Sequence, residues 1–345
     1  MSETRLAVIG VGRMGTNHAR VLSEMENVRL AAVCDTNREV AEKVARRFLI
    51  PAIYTEIDEM VDKEKLDGVV IAVPTAEHAS AAAKCFRRRI HTLIEKPLAS
   101  SPQQCEAILK QAAAAGTQVL SGHIERFNPV VVQLKKFLDE NFLGKIFYIE
   151  TVRSGPFPKR LYGSKDGVVI DLAVHDLDLV NYLFGRLEHV YAHHIQTDSH
   201  RQDIYARVML KTETGVLGSS EFSWISPRKE RSISIYGDKG LLVGNLVDQE
   251  VWFYENGDVG IDYSDNYYQN VIWGRVSEGK VVKFPIKREE PLRKELDYFC
   301  RLIRGEIQDY DPLHGKLAVE YSQAVLESGQ NGQVIRFDKE GRDNK

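Results

Sequence analysis

Cysteine is scarce in this 345-residue chain: there are four, at Cys34, Cys85, Cys105 and Cys300, with no C-x-x-C pair. That spacing argues against a disulfide framework or a structural zinc site and predicts reduced thiols in a cytoplasmic protein. Long apolar runs are missing too. No stretch approaches about 18 consecutive apolar residues, so no membrane-spanning helix is expected. The first apolar run, Leu6-Ala7-Val8-Ile9, is too short for the core of a signal peptide and leads straight into a glycine-rich turn. Nor is one sign of charge in excess. The 46 Lys+Arg against 49 Asp+Glu leave a formal charge of −3, which excludes a strong non-specific hold on nucleic acid through bulk charge. What is present is ordinary for a soluble globular protein, 43% apolar and 28% charged, and long enough for two domains.

The first third of the chain alternates buried strands with helices. Leu6–Ile9, Leu30–Cys34, Val69–Val73, Thr92–Ile94 and Gln118–Leu120 read as strands, the continuously apolar ones as strands covered on both faces. Between them, about 14–25, 37–48 and 76–89 read as helices, and a further helix starts at Ser101-Pro102 and ends at Gly116. The Arg87-Arg88-Arg89 run suits the last turn of its helix. Such alternation implies right-handed crossovers and a doubly wound parallel sheet, the Rossmann arrangement. After Gly122 the rhythm changes. A helix over Pro129–Glu140 is followed by segments with period-two alternation, at Ile146–Val152, His189–Ile195, Ile204–Lys211, Val216–Trp224, Ser232–Tyr236 and Val251–Tyr254. They predict an α+β domain with an open, largely antiparallel sheet, closed by helices near Leu292–Ile303 and Leu313–Leu326. The expected division is 1–122 and 123–345.

Three segments carry chemistry. The turn Gly10-Val11-Gly12-Arg13-Met14-Gly15 follows a buried strand and opens a helix, and Asp35 ends the next strand twenty residues later. Gly10 makes the tight turn, Gly12 lets the backbone approach a pyrophosphate, and Gly15 allows close helix–strand packing. Asp35 would accept hydrogen bonds from ribose hydroxyls and repel a 2′-phosphate, so NAD is favoured over NADP, although Arg38 lies near. Glu95-Lys96-Pro97 ends a parallel strand, where open α/β sheets bind ligands. Lys96 there could orient a hydroxyl or transfer a proton, or could be a surface lysine paired with a glutamate. In Gly167–Phe184, Asp171, His175, Asp178 and Tyr182 fall at i, i+4, i+7 and i+11, one polar stripe on an otherwise apolar helix. Asp171 could orient His175 as a base, or the two could form a structural hydrogen bond. No further His/Cys cluster has ligand spacing, so no metal is expected.

Together these segments, with Val73-Pro74-Thr75 and His78, and the stretch Leu317–Ile335, resemble the glucose–fructose oxidoreductase, inositol dehydrogenase and MocA family. The resemblance covers nearly the whole chain, with Ala173 standing where many members carry glycine. It implies a catalytic group of Lys96, Asp171 and His175, with Pro74, Thr75, His78 and Glu95 on the nicotinamide side. The implied reaction is hydride transfer from a sugar carbon to NAD, coupled to removal of the hydroxyl proton.

The segment Gly122–Pro129 and the stretch Arg153–Lys165 resemble the UDP-N-acetylglucosamine 3-dehydrogenase group of that family. The second stretch carries Arg153, Lys159, Arg160 and Lys165 with Phe157 and Tyr162, cations suited to a diphosphate and aromatic faces suited to a nucleobase. Arg153, Arg160, Tyr162 and Asp178, with the catalytic group, are therefore the expected substrate contacts. Alternatives are a dehydrogenase of a free polyol such as inositol and a non-catalytic NAD-binding sensor. Members of the family usually pair the open sheet between subunits, which implies a homodimer or homotetramer.

Overall fold

Consecutive Val, Ile and Leu residues can be fully buried only in a strand covered on both faces, and the N-terminal runs meet that condition. The computed structural model describes residues 3–158, 167–197, 202–257 and 279–337. Its first unit comprises the chain up to Phe127, Leu177–Leu179 and Glu290–Ala324. Six parallel strands form its sheet: β1 (Thr4–Ile9), β2 (Val28–Cys34), β3 (Ala52–Tyr54), β4 (Gly68–Ile71), β5 (His91–Glu95) and β6 (Val119–Gly122), in the order β3-β2-β1-β4-β5-β6. The order reverses between β1 and β4, where a doubly wound sheet opens a crevice at the carboxyl ends of its strands.

The helices start and stop where local chemistry requires. Helix α1 (Arg13–Ser23) follows the glycine turn, and α2 (Arg38–Phe48) is capped by Asn37, whose side chain accepts from the N–H groups of Glu39 and Val40. After α3 (Ile57–Lys63) and α4 (His78–Phe86), α5 (Pro102–Ala115) has Ser101 as its cap and Pro102 in its first turn, and ends on Gly116 with φ +68°. Arg87 and Arg88, just past α4, donate to Asp58 and Asp62 of α3.

The second unit comprises Asn128–Asp176, Val180–Glu289 and the chain from Val325. Helix α6 (Pro129–Asp139) precedes a nine-stranded sheet of β7 (Ile146–Pro156), β8 (Leu187–Gln196), β9 (Asp203–Thr212), β10 (Leu217–Ser223), β11 (Ile225–Gly237), β12 (Gly240–Asn245), β13 (Glu250–Glu255), β14 (Val281–Phe284) and β15 (Ile335–Arg336). The order is β14-β13-β12-β11-β7-β10-β9-β8-β15, antiparallel except where β10 meets β7. The register places Met209, Leu217, Tyr148, Tyr236, Tyr254 and Val281 on one face of this sheet. A five-residue π-helical turn, Val169–Ala173, runs into α7 (Val174–Phe184).

Two expectations are corrected. The chain does not divide once, at residue 122. The first unit runs on to Phe127 and takes back helix α8 (Pro291–Ile303) and most of α9 (His314–Asn331). The reason is a matched apolar surface: Leu292, Leu296, Phe299, Cys300 and Leu302 of α8 share a core with Leu6, Val8, Val21 and Leu22. Strands β3, β12 and β14 and helix α3 are also additional to the expected elements; the Gly237–Gly240 turn closes a hairpin of β11 with β12.

Candidate active site

The glycine turn is shaped by close backbone approach. Gly10 has φ +79°, and a Cβ there would lie 2.8 Å from the Ala72 carbonyl oxygen. A Cβ on Gly15 would come within 1.8 Å of the Gly10 carbonyl oxygen, so α1 can seat against the turn only with glycine there. A Cβ on Gly12 would meet nothing within 4 Å, so its lack of a side chain is not needed for packing. It leaves space at the amino end of α1, where unpaired N–H groups and the helix dipole favour an anion. Val11 is buried, and its N–H donates to Asp35 Oδ2 at 2.8 Å, while Asn37 N–H donates to Asp35 Oδ1 at 2.9 Å. Asp35 thus binds the loop after β2 to the glycine turn. Arg13 is exposed and Met14 half-buried. Arg38 points its charge to Glu42, with Nε 2.9 Å from Oε1. These residues fit a dinucleotide: an open anion-binding helix end beside an acidic residue.

At the end of β5 the Glu95 carboxylate organises the turn into Lys96. Oε2 accepts from the Lys96 N–H at 3.2 Å, and Oε1 lies 2.7 Å from His18 Nε2. Burial opposes ionisation of Glu95, but the hydrogen bond and charge of His18, followed by the Lys96 charge, outweigh it and hold the carboxyl below its ordinary range. The Lys96–Pro97 peptide is cis, and Lys96 itself is half-buried. Pro74 is exposed, and Thr75 begins a short 3-10 turn, Thr75–Glu77. His78 departs from the expected nicotinamide-lining role. It is 1% exposed, with Nε2 3.0 Å from the Val73 carbonyl oxygen and Nδ1 3.1 Å from that of Pro97. It therefore ties the loop after β4 to the loop after β5, and burial pushes its pKa down.

The polar stripe of the 167–184 segment does not stay together. Asp171, His175 and Tyr182 are half-buried, whereas Asp178 is 1% exposed and belongs to the first unit. The π turn takes in Asp171 and changes the angular step, so simple i, i+4, i+7 counting misplaces the faces. Arg126 donates to both Asp178 oxygens, Nε at 2.7 Å and Nη2 at 2.6 Å. Burial opposes ionisation of Asp178, but Arg126 prevails and keeps it below its ordinary range. His123 lies beside this pair, with Nδ1 3.6 Å from Asp178 Oδ2, too long for a hydrogen bond. Burial pushes the His123 pKa down to about 4, against the pull of Asp178.

In the second unit, Asp171 and His175 lie one turn apart on the segment leading into α7. Its beginning is held by Asp203 of β9, whose Oδ2 accepts from Val169 N–H at 2.8 Å. A Cβ on residue 167 would lie 1.8 Å from Asp203 Oδ1, so only glycine fits there. Arg153 is not the solvent-facing cation that a diphosphate clamp requires. It is 2% exposed and donates through Nε and Nη2 to Asp176 Oδ1 at 2.8 and 2.6 Å. Arg160 and Tyr162 lie outside the described residues. Among the described residues, no group of three or more His, Cys, Asp or Glu could hold a metal ion, and no helix is long and apolar enough to cross a membrane.

Sequence reasoning missed His18, Arg126, Asp176 and Asp203. His18 left a signal, since it stands three residues past Gly15 on the buried side of α1. The partners of Asp176 and Asp178 are set by tertiary contacts far along the chain and left none.

Comparison with known proteins places both parts of the chain in one family. The family described as an oxidoreductase family with an NAD-binding Rossmann fold matches residues 4–123, and the GFO/IDH/MocA C-terminal domain matches residues 131–243. The chain is 24% identical to a scyllo-inositol 2-dehydrogenase (NAD(+)) of Bacillus subtilis, over 97% of each protein. It is 33% identical to a UDP-N-acetylglucosamine 3-dehydrogenase of Acidithiobacillus ferrooxidans, over 54% of this chain and 56% of that protein. The WlbA dehydrogenase of Bordetella pertussis, solved with NADH and UDP-GlcNAcA, superposes with a TM-score of 0.80 at 20% identity, covering 98% of each chain.

Proposed function

This chain belongs to the Gfo/Idh/MocA oxidoreductases, and from that premise we propose that it oxidises a secondary hydroxyl of a sugar nucleotide to a ketone, with the 3-hydroxyl of UDP-N-acetylglucosamine as the preferred target. The reaction class, NAD-dependent oxidation of a sugar-like CH–OH group, is common to the relatives on which the assignment rests. The observation that carries the reading is the equipment each unit holds by itself: a glycine turn with Asp35 and Lys96 in the first, Asp171 and His175 in the second.

NAD, when bound, supplies the hydride acceptor. The backbone of Gly12, Arg13 and Met14 at the amino end of α1 would hold its pyrophosphate, and Asp35 its adenosine ribose, while Pro74, Thr75 and the Glu95–Lys96 turn would border the nicotinamide. Lys96 donates to the reacting hydroxyl oxygen, and His175, oriented by Asp171, takes its proton as the carbon–hydrogen bond breaks. Glu95 holds the Lys96 backbone, and Asp178 acts through Arg126, which places the turn after β6. The open apolar face of the second sheet pairs with another copy of the chain.

A second reading, oxidation of a free polyol, is favoured by one observation: the buried Arg153–Asp176 pair removes one cation from the expected diphosphate clamp. The deciding experiment follows NADH absorbance with UDP-N-acetylglucosamine, inositol and glucose offered separately. Turnover of the UDP-sugar, with Arg160→Glu raising its KM at least tenfold and leaving the KM for NAD unchanged, supports the nucleotide reading. Turnover of inositol alone replaces it with the polyol reading.

A further inference from the structure

The segment that carries Asp171 and His175 begins without a cap of its own. Residue 167 is a glycine, with no side chain to offer, and the side chain of Val168 makes no capping hydrogen bond. The first backbone bond of the turn runs from the Asp171 N–H to the Gly167 carbonyl oxygen, at 3.1 Å. The N–H groups before Asp171 have no partner within the helix, and Gly167, Val168 and Val169 are buried, so a partner must come from elsewhere. For Val169 it comes from another strand. Asp203, the first residue of β9 and 6% exposed, accepts the Val169 N–H at Oδ2, 2.8 Å away. A carboxylate at the amino end of a helix also meets the favourable end of its dipole. The backbone leaves room for that carboxylate only because residue 167 is glycine: a Cβ there would stand 1.8 Å from Oδ1 and 2.5 Å from Oδ2.

The turn held in this way is π-helical, a rare conformation found mostly as single turns and often at functional sites. Val169, Ala173 and Asp176 are buried, whereas Asp171 and His175 between them are half-buried. Beyond His175 the segment is fixed by Arg153 of β7, which donates to Asp176, the very next residue. Strand β10 lies between β7 and β9 in the sheet and packs on the π turn. The two anchors therefore stand on the strands either side of β10, one before Asp171 and one after His175. We propose that Asp203 is a positioning residue: a cap supplied from another strand, it fixes the start of the π turn and so holds Asp171 and His175 at the setting in which they serve the reacting hydroxyl. It acts through the Val169 backbone and not on the reacting atoms.

The catalytic consequence rests on the oxidoreductase reading, whereas the cap itself is testable without turnover. In the full-length protein labelled with ¹⁵N-valine, the Val169 amide should exchange with deuterium about tenfold faster in Asp203→Ala than in wild type. Asp203→Asn, whose side-chain oxygen still accepts, should return the rate to that of wild type. Equal rates in all three proteins overturn the cap. With a substrate that is turned over, Asp203→Ala should lower kcat by about ten- to a hundredfold, and Asp203→Asn should recover most of the loss. Substrate KM and NADH affinity should stay within about threefold of wild type, because the lost contact bears on the chemical step. Unimpaired kcat in a folded Asp203→Ala whose Val169 amide has lost its protection overturns the positioning role. Where Asp203→Ala does not fold, Gly167→Ala, which displaces the carboxylate without removing it, is read in the same two assays and should show the same two effects. In Gly167→Ala/Asp203→Ala the added methyl meets no carboxylate, so the double variant should match Asp203→Ala; effects that multiply overturn the shared contact. If no sugar or polyol is oxidised, the oxidoreductase reading fails, and the Val169 amide still decides the cap.

Discussion

Arg126 closes on both carboxylate oxygens of Asp178, at 2.7 and 2.6 Å, where Asp178 is 1% exposed. A two-point guanidinium–carboxylate pair fixes orientation as well as charge, so it locks the Ile124–Phe127 turn to the middle of α7. Removing one partner leaves the other charged and buried. Arg126→Leu should therefore destabilise the protein by about 3–5 kcal/mol in urea denaturation, and Arg126→Leu/Asp178→Leu should recover much of that loss. Equal destabilisation by the single and double variants would show that the charge is not the cause.

His123 makes the same region acid-sensitive. The folded protein keeps this ring neutral down to about pH 4, whereas the unfolded chain protonates near 6.5. The stability it contributes is present above 6.5 and is lost as pH falls from there to about 4. Asp178, held below its ordinary 3.8, adds a loss only below that value. Urea midpoints measured between pH 7 and 4 should fall more steeply for wild type than for His123→Asn.

The glycines of the turn should separate folding from cofactor binding. Gly15→Ala forces a Cβ to within 1.8 Å of a carbonyl oxygen and should lower stability and NADH affinity together. Gly12→Ala meets no protein atom within 4 Å, so its melting temperature should stay near that of wild type. Its NADH affinity should still fall at least tenfold, read by NADH fluorescence, because the new methyl stands where the pyrophosphate approaches.

The proposed proton-handling residues predict a split between chemistry and binding. Lys96→Ala and His175→Ala should each lower kcat by about 10²–10⁴-fold, with NADH dissociation constants within about threefold of wild type. Stopped-flow hydride transfer would read the first and fluorescence titration the second. Near-normal kcat in either variant removes that residue from the mechanism.

Local chemistry determined much of this protein. Val and Ile runs, the Ser101-Pro102 start of α5, its Gly116 end and the glycine turn each act over a few residues, so the glycine turn, the parallel sheet except β3 and its helices except α3 could be read from the sequence alone. The alternation after Lys145 likewise announced the second sheet, because period two requires only neighbouring residues. Tertiary structure decided the rest. Whether Arg153 or Asp178 faces a ligand depends on Asp176 and Arg126, and only folding brings these partners within about 3 Å of them. The return of α8 to the first sheet was equally hidden, since an apolar stripe specifies that a helix is covered but not by which surface. The lowered pKa of His123 follows from the same fact: ionisation responds to burial, and burial is a property of the assembled core.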